Sequence, residues 1–312
     1  MPVPARMHAK TLTRRRLVFG GCAALVLRTA GVSAQRDVDE PDLDAASAGG
    51  TIRLGTLADG RVTRIPLETY VARVLAGEAD ARMADGAQQA LAIAARTYTL
   101  RNLDRHAREG FDLCDSTHCQ VPRPSTPSSR RAAFATGGQI LTYHGATAEI
   151  FYSASCGGRS ERARDVWPAA DHPYLVSRKD DVCANDPEWS VDFPMGRVQA
   201  ALARAGFAGT LRDVRVDGRT QSGRAARLRL AGLRPDSMAG GDFRLAIGAV
   251  DLRSTAFAIE KRGDTLHLTG RGFGHGVGMC VVGAGRRALR GESARKILDQ
   301  YYPGLDVTPL PR

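Results

Sequence analysis

No apolar stretch in this 312-residue chain approaches the length of a membrane-spanning helix. The longest, Leu17 to Leu27, is too short to cross ~30 Å of hydrocarbon. Long basic runs are missing as well once the amino terminus is set aside. Residues 1–34 hold six Lys/Arg and no acid; without them 38 bases face 33 acids and the formal charge falls from +11 to +5. That mild excess, with no cluster, argues against a nucleic-acid partner. Lysine is scarce, four of 44 bases, and the arginine excess beside heavy Ala and Gly usage fits genomic bias rather than function. There is no internal repeat and no G-K-[ST] phosphate loop. Gly283-Ala284-Gly285 with Ala288 matches a dinucleotide fingerprint only formally: it lacks the βαβ setting and an acid ~20 residues on, which argues against NAD. What remains, 43% hydrophobic and 25% charged residues, is ordinary globular composition, and excludes collagen-like, disordered and multi-span classes.

The amino terminus reads as an export signal over residues 1–34. Arg14-Arg15-Arg16 precedes the apolar run, and Val32-Ser33-Ala34 ends it in an A-x-A-like site. Thr13-Arg14-Arg15-Arg16-Leu17-Val18 also resembles a twin-arginine signal, and a plain basic n-region is the competing reading. The apolar stretch before Cys22 is too short for a lipoprotein box. Residues 35–50 read as a flexible mature N-terminus. Five cysteines follow the signal, Cys114, Cys119, Cys156, Cys183 and Cys280. In an oxidising compartment the preferred pairing is Cys114–Cys119 and Cys156–Cys183 with Cys280 free; an odd count leaves one thiol over or a metal to be bound. Zinc held by Cys114, His118, Cys119 and Cys156 is the alternative.

Elements alternate without a βα rhythm, so the expected fold class is α+β, with helices mixed among antiparallel hairpins. Short strands flank Asp59-Gly60. Helices are expected from Pro66 to about Gly77, with Leu67, Val71, Val74 and Leu75 on one face, and from Gly86 to His106, with Ala87, Leu91, Ala94, Ala95 and Tyr98 inward. Residues 110–130 read as a loop. Hairpins are expected at Gln139–Ser153 over His144-Gly145, across 211–230, and across 255–269 with a turn at Arg262-Gly263-Asp264. Short helices fall near 196–205 and at Ser293–Tyr302. The main domain spans 51–308, with 190–250 set apart as a candidate subdomain.

Chemistry concentrates in a few places. Glu78 ends an apolar helix beside Leu75, Ala76 and Ala79, where burial would raise its pKa toward a general-acid range. Arg96 could clamp a substrate or Glu78. From Gly270 to Gly278 glycine recurs at every second residue; in a strand that bares one face for close approach and puts Arg271, Phe273, His275 and Val277 on the other. Trp167 and Trp189 are candidates for stacking on sugar faces, with core packing the commoner fate.

Taken in order, Ile65–Val71, Gly77-Glu78, Gln88–Tyr98, Cys114–Val121, Phe151–Gly158, Asp165–Trp167, Leu252–Thr255, Gly270–Met279 and Ile297–Gly304 resemble the motifs of the SpoIID/LytB family over about residues 51–304. The resemblance implies a peptidoglycan protein outside the cytoplasm, in periplasm or wall. Some family members are lytic transglycosylases, leaving 1,6-anhydro-MurNAc ends without consuming water; others enhance an amidase. It implies Glu78 as the catalytic residue. Arg96, Gln120, Ser155, His275, Gly276, Gly278 and Met279 would then line the glycan site. No cofactor takes part in the chemistry, although some members carry zinc near the Cys/His segment. Glycan strands and an amidase are the implied partners. The chain departs from the family at Ala79-Asp80, where Met-Pro is usual, at Pro122 in place of Tyr, and at Cys280-Val281-Val282 in place of Ser-Gln-Trp.

Overall fold

In the computed structural model, residues 37–47 and 50–310 are described. The export signal, Cys22 and the twin-arginine segment lie outside them. From Asp37 onward the chain forms one compact unit. Its helices, among the described residues, are α1 Glu40–Ala46, α2 Leu67–Glu78, α3 Asp85–Arg101, α4 Pro127–Ala135, α5 Ala163–Val166, α6 Met195–Arg204, α7 Gly240–Ile247, α8 Val281–Leu289 and α9 Ala294–Tyr301. Strands form small sheets rather than one large one, which makes the fold α+β. Thr51–Gly55 pairs antiparallel with Val62–Pro66 and parallel with Leu113–Cys114. Gln139–Tyr143 lies between Ala146–Thr147 and Asp306–Pro309. Tyr152–Ser153 pairs in parallel with Met279–Cys280.

The first core is built around α3, which packs on α2, α4, α8 and α9. The predicted apolar face is buried, but so are Gln88, Arg96, Thr97 and Thr99. The helix is enclosed nearly all round, and its alanines let neighbours approach closely. The polar groups this encloses find partners inside. Arg96 Nε donates to Glu68 Oε1 at 2.8 Å, with both side chains fully buried. Its other nitrogens reach the carbonyls of Gln139 and Ala133, and Glu68 Oε1 also accepts from Gly138 N at 3.1 Å. Arg96 therefore locks α2 to α3 and to the strand after α4. It contacts neither solvent nor Glu78, which corrects its expected place at the substrate.

A second core gathers Trp189, Phe193, Val198, Leu202, Leu228, Leu230, Phe243 and Leu266, from residues 189–268. The hairpins Ala208–Arg219 with Ala225–Arg234, and Phe257–Arg262 with Thr265–Gly270, supply its strands. Trp189 is part of this core, its indole N–H donating to Gly272 O, so it presents no face to a ligand.

Several expectations change. Part of the expected flexible N-terminus is ordered: α1 buries Leu43 completely, Asp44 accepts from Thr69 Oγ1, and Arg73 pairs with Glu40 at 2.8 Å. α3 stops at Arg101, where Asn102 turns its amide back onto Tyr98 O. The 110–130 loop ends in α4, opened by Thr126 and Ser129, each side chain bonding the other's backbone N–H. α7 and α8 are helices with no sequence-level counterpart.

Arg96→Met leaves the Glu68 carboxylate buried without its partner, at an expected cost of about 3–5 kcal/mol. The double variant Glu68→Leu/Arg96→Met should recover much of that loss. Chemical denaturation of both measures it; an Arg96→Met loss below about 1 kcal/mol would contradict the role assigned to the pair.

Candidate functional site

Glu78 is the last residue of α2. Residues 119–123 cross that helix end. Arg123 N donates to Arg73 O at 2.9 Å, and Val121 N donates to Glu78 Oε1 at 3.2 Å. Gly77 makes the crossing possible: a Cβ there would stand 1.7 Å from Val121 O. The Gly-Glu pair is thus one device, the glycine admitting the segment whose N–H then holds the carboxylate. Burial raises the Glu78 pKa above the ordinary carboxyl range, and the Val121 hydrogen bond opposes it only in part. Neighbouring Asp80 is exposed and held down to about 2 by Arg82, so the extra acid does not set Glu78's environment.

Behind Glu78 lies a closed polar network. Gln120 Oε1 accepts from Tyr70 Oη at 3.1 Å and Thr99 Oγ1 at 2.9 Å, while Nε2 donates to Tyr152 Oη at 2.9 Å and Ala95 O at 3.2 Å. That uses every donor and acceptor of a buried amide. Gln120 is accordingly a support, not a substrate contact. Burial, then the Glu78 carboxyl, pushes Tyr152's phenol well above its usual range. Tyr152 and Tyr70, missed at the sequence level, stand inside quoted motifs with no spacing to single them out.

The glycine segment is not a strand. Gly272, Gly274, Gly276 and Gly278 have φ of 78°, 99°, 80° and 70°. Every second residue is left-handed, which is why glycine recurs. The bare positions are filled from within the fold: a Cβ at Gly276 would meet Arg224 Nη2 at 2.4 Å, and one at Gly278 would meet Phe151 O at 1.9 Å. Met279 and Val277 are fully buried while Phe273 is exposed, so the predicted common face does not form. Gly276, Gly278 and Met279 are packing positions. Ser155 is another support, bridging backbone to backbone with Phe273 and donating to Asp186 Oδ2 at 2.8 Å.

His275 packs against Phe151 and Trp167. Burial, with the Arg224 charge next, pushes its pKa down to about 3, so the ring is neutral. Nδ1 accepts from Val277 N at 3.0 Å, and the ring also bonds the Tyr152 backbone. Only its face remains, set edge-to-face on Trp167 at 4.9 Å between centroids; Trp167 stacks on Phe151 at 4.4 Å. Trp167 is partly exposed. His275 thus bonds the backbone of Tyr152, whose phenol the Glu78 carboxyl also influences.

Among the described residues all five cysteines are free, which corrects both proposed disulfides. The thiols instead join two separate groups. Cys114, His118 and Cys119 meet His106, with Cys119 Sγ 3.4 Å from His106 Nε2, Cys114 Sγ 3.7 Å from His118 Nδ1, and the two imidazoles 3.2 Å apart. His106, just beyond α3, takes the place assigned to Cys156, and Cys156 lies elsewhere with Cys183 and Cys280. In a zinc tetrahedron, S···N edges run about 3.5 Å and N···N about 3.3 Å. Two thiols and two imidazoles at these spacings fit such an ion.

Comparison with known proteins places the chain in a family. A family model described as "Stage II sporulation protein" matches residues 58–143, and a "Domain of unknown function (DUF8618)" matches 188–278. Stage II sporulation protein D of Bacillus subtilis is 30% identical over 275 residues, covering 80% of this chain and 77% of its own length. The chain belongs to the SpoIID family. Further similar proteins include an uncharacterized protein of Brachyspira hyodysenteriae, 29% identical across 80% of this chain and 69% of its own. The amidase enhancer of Bacillus subtilis is 26% identical over 75% of this chain and 40% of its own length. Against the other SpoIID-family pattern, Cys280 and Val281 are buried and only Val282 of the three departures is exposed.

The raised Glu78 pKa has a definite sign in stability. A carboxyl whose folded pKa exceeds its unfolded one contributes fully at acid pH and becomes a penalty as pH rises through the folded value. Glu78→Gln should therefore melt higher than the parent at about pH 7, with the two converging near about pH 4. For a domain this size each kcal/mol relieved is worth about 2–4 °C. Melting curves at both pH values decide it, and a lower Tm for the variant at neutral pH would count against the buried acid.

Proposed function

We propose that this SpoIID-family protein is a peptidoglycan lytic transglycosylase in which Glu78 alone serves as acid and then base. The observation that carries the reading is the half-buried Glu78 carboxyl, raised in pKa by burial and steadied by one backbone N–H. A group that begins protonated can give its proton to the glycosidic oxygen between MurNAc and GlcNAc as the C1–O bond breaks. The carboxylate left behind then takes the proton of the MurNAc C6 hydroxyl while that oxygen closes on C1. The product is a 1,6-anhydro end, Glu78 recovers its proton, and no water is consumed. One carboxyl suffices, unlike the pair a hydrolase needs. The Trp167–Phe151 stack, with the neutral His275 ring behind it, offers a surface for a sugar face. A positively charged protein suits an anionic wall polymer, and Arg14–Arg16 with its apolar run supports export to that compartment.

The His106, Cys114, His118 and Cys119 group belongs to the same proposal as a zinc site. These four residues would hold the ion, and bound zinc would supply a structural cross-link rather than chemistry. The residues themselves do the positioning: Cys119 leads directly into Gln120 and Val121, so fixing its thiol fixes the amide network and the N–H that holds Glu78.

Mass spectrometry of digests from denuded and intact peptidoglycan tests the activity. Wild type should release anhydro-ended fragments and Glu78→Gln should release none, a loss of at least about 10³-fold. No fragments from either protein, with glycan binding retained, would replace the enzyme by an amidase-enhancing module. Because only protonated Glu78 starts the cycle, kcat/KM should fall as pH rises through its raised pKa; a rate that climbs with pH there would sink the acid-first order.

A further inference from the structure

The second thiol group stands apart from Glu78 and plays no part in the reading above. Cys156, Asp180, Cys183 and Cys280 are drawn from three segments and are all buried. Their sulfur and oxygen atoms all lie within 4.8 Å of one another. Cys183 Sγ is 3.7 Å from Cys280 Sγ, and Cys156 Sγ is 3.6 Å from Asp180 Oδ2. A tetrahedral ion at about 2.3 Å from sulfur and 2.0–2.2 Å from oxygen sets S···S edges near 3.8 Å and S···O edges near 3.6 Å. A disulfide needs ~2.05 Å and would use only two of the three thiols.

The surroundings are built as metal ligands are usually supported. Cys280 Sγ accepts two backbone N–H groups, from Cys156 and from Gly283, both at 3.2 Å, and it sits at the N-cap of α8. Asp180 Oδ2 accepts from Tyr301 Oη at 2.7 Å and Oδ1 from Arg287 Nη2 at 2.9 Å. Gly283 leaves room for the group: a Cβ there would stand 2.6 Å from Asp180 Oδ2 and 3.2 Å from Cys183 Sγ. The charge is met from nearby. Arg287 is buried against Asp180, and buried Arg224 donates to Cys156 O while its Nε and Nη1 have no partner. Three thiolates and a carboxylate around a divalent ion leave a net negative charge for such guanidinium groups to balance.

We propose that Cys156, Asp180, Cys183 and Cys280 form a closed structural site for a thiophilic divalent cation of the zinc class, separate from the His106 group. Majority-thiolate ligation selects this class over magnesium or calcium, and four protein ligands leave no open position for catalysis. The site also accounts for the odd cysteine number after the signal, since two thiols in one group and three in the other leave none over. Its effect is to pin the end of the glycine segment, at Cys280, to the turn after Tyr152 and to the Asp180–Cys183 turn, and so to hold His275 in place.

The test is metal analysis and X-ray absorption on the reduced, zinc-titrated protein. Two equivalents of zinc are expected in wild type. Cys114→Ser/Cys119→Ser should keep one, with three sulfurs and one oxygen around it. Cys183→Ser should lose that one and keep an ion with two sulfurs and two nitrogens. Should Cys183→Ser fail to fold, wild type and the Cys114→Ser/Cys119→Ser variant still decide. A single equivalent bound through two sulfurs and two nitrogens in wild type overturns the proposal. So does a disulfide joining any two of Cys156, Cys183 and Cys280 in the non-reduced peptide map of the protein as purified.

Discussion

Arg96 and Glu68 meet where α2, α3 and the strand after α4 converge, and their placement governs what lies at the ends of those elements. A guanidinium with no solvent access tolerates little displacement, because each nitrogen that loses its acceptor exposes a charge to a low-dielectric surrounding. Fixing Arg96 against Glu68 therefore fixes the rotation of α2 about its axis relative to α3. That rotation decides where Glu78, the final residue of α2, points. It also decides where Thr99 on α3 meets Gln120. The ion pair thus constrains the placement of the Glu78 carboxyl without contacting it.

From that anchor, constraint passes outward through groups with no freedom left. Gln120 spends all four hydrogen-bonding positions on Tyr70, Thr99, Tyr152 and Ala95. Its neighbour Val121 offers the one backbone N–H that holds Glu78. A neutral amide network behind a carboxyl has a consequence for its acidity. It supplies no cation to pull the pKa down, and its buried phenols resist ionisation, so desolvation prevails. Had Arg96 faced Glu78, the carboxyl would have been held ionised.

The place of Glu78 at the end of an apolar helix was legible in the sequence, but its reading as an acid came from the family resemblance, since a carboxyl at a helix terminus is ordinarily solvated. The helices α2 and α3 and most hairpins were legible from their apolar spacing. What escaped reading has physical causes. α3 is enclosed nearly all round, so its polar residues gave no sign of which were core: Arg96 on α3, and Gln120 in the segment crossing the end of α2, looked like ligands for a substrate because only their internal partners reveal them as support. The glycine alternation has the period of a strand but arises from left-handed backbone at every second residue, and period alone does not separate the two. α8 begins at Cys280, an unusual cap, and carries Gly283 and Gly285, which lower helix propensity. Its Gly283 is explained only by the thiols and carboxylate packed against it.

The departures from the family pattern gain meaning from the same geometry. Asp80 adds an acid two residues from Glu78, yet it is turned to solvent and paired with Arg82. Exposed charge is screened, and an ion pair in water has little reach. Glu78 is instead steadied by a main-chain N–H, which no substitution at residues 79 or 80 removes directly. Cys280 and Val281 lie in the interior, so they alter packing and thiol chemistry rather than the surface a glycan would touch. Of these three residues Val282 alone is exposed. Gly77, Glu78 and Val121 themselves are unchanged, while Pro122 stands directly after the residue whose N–H holds the carboxyl.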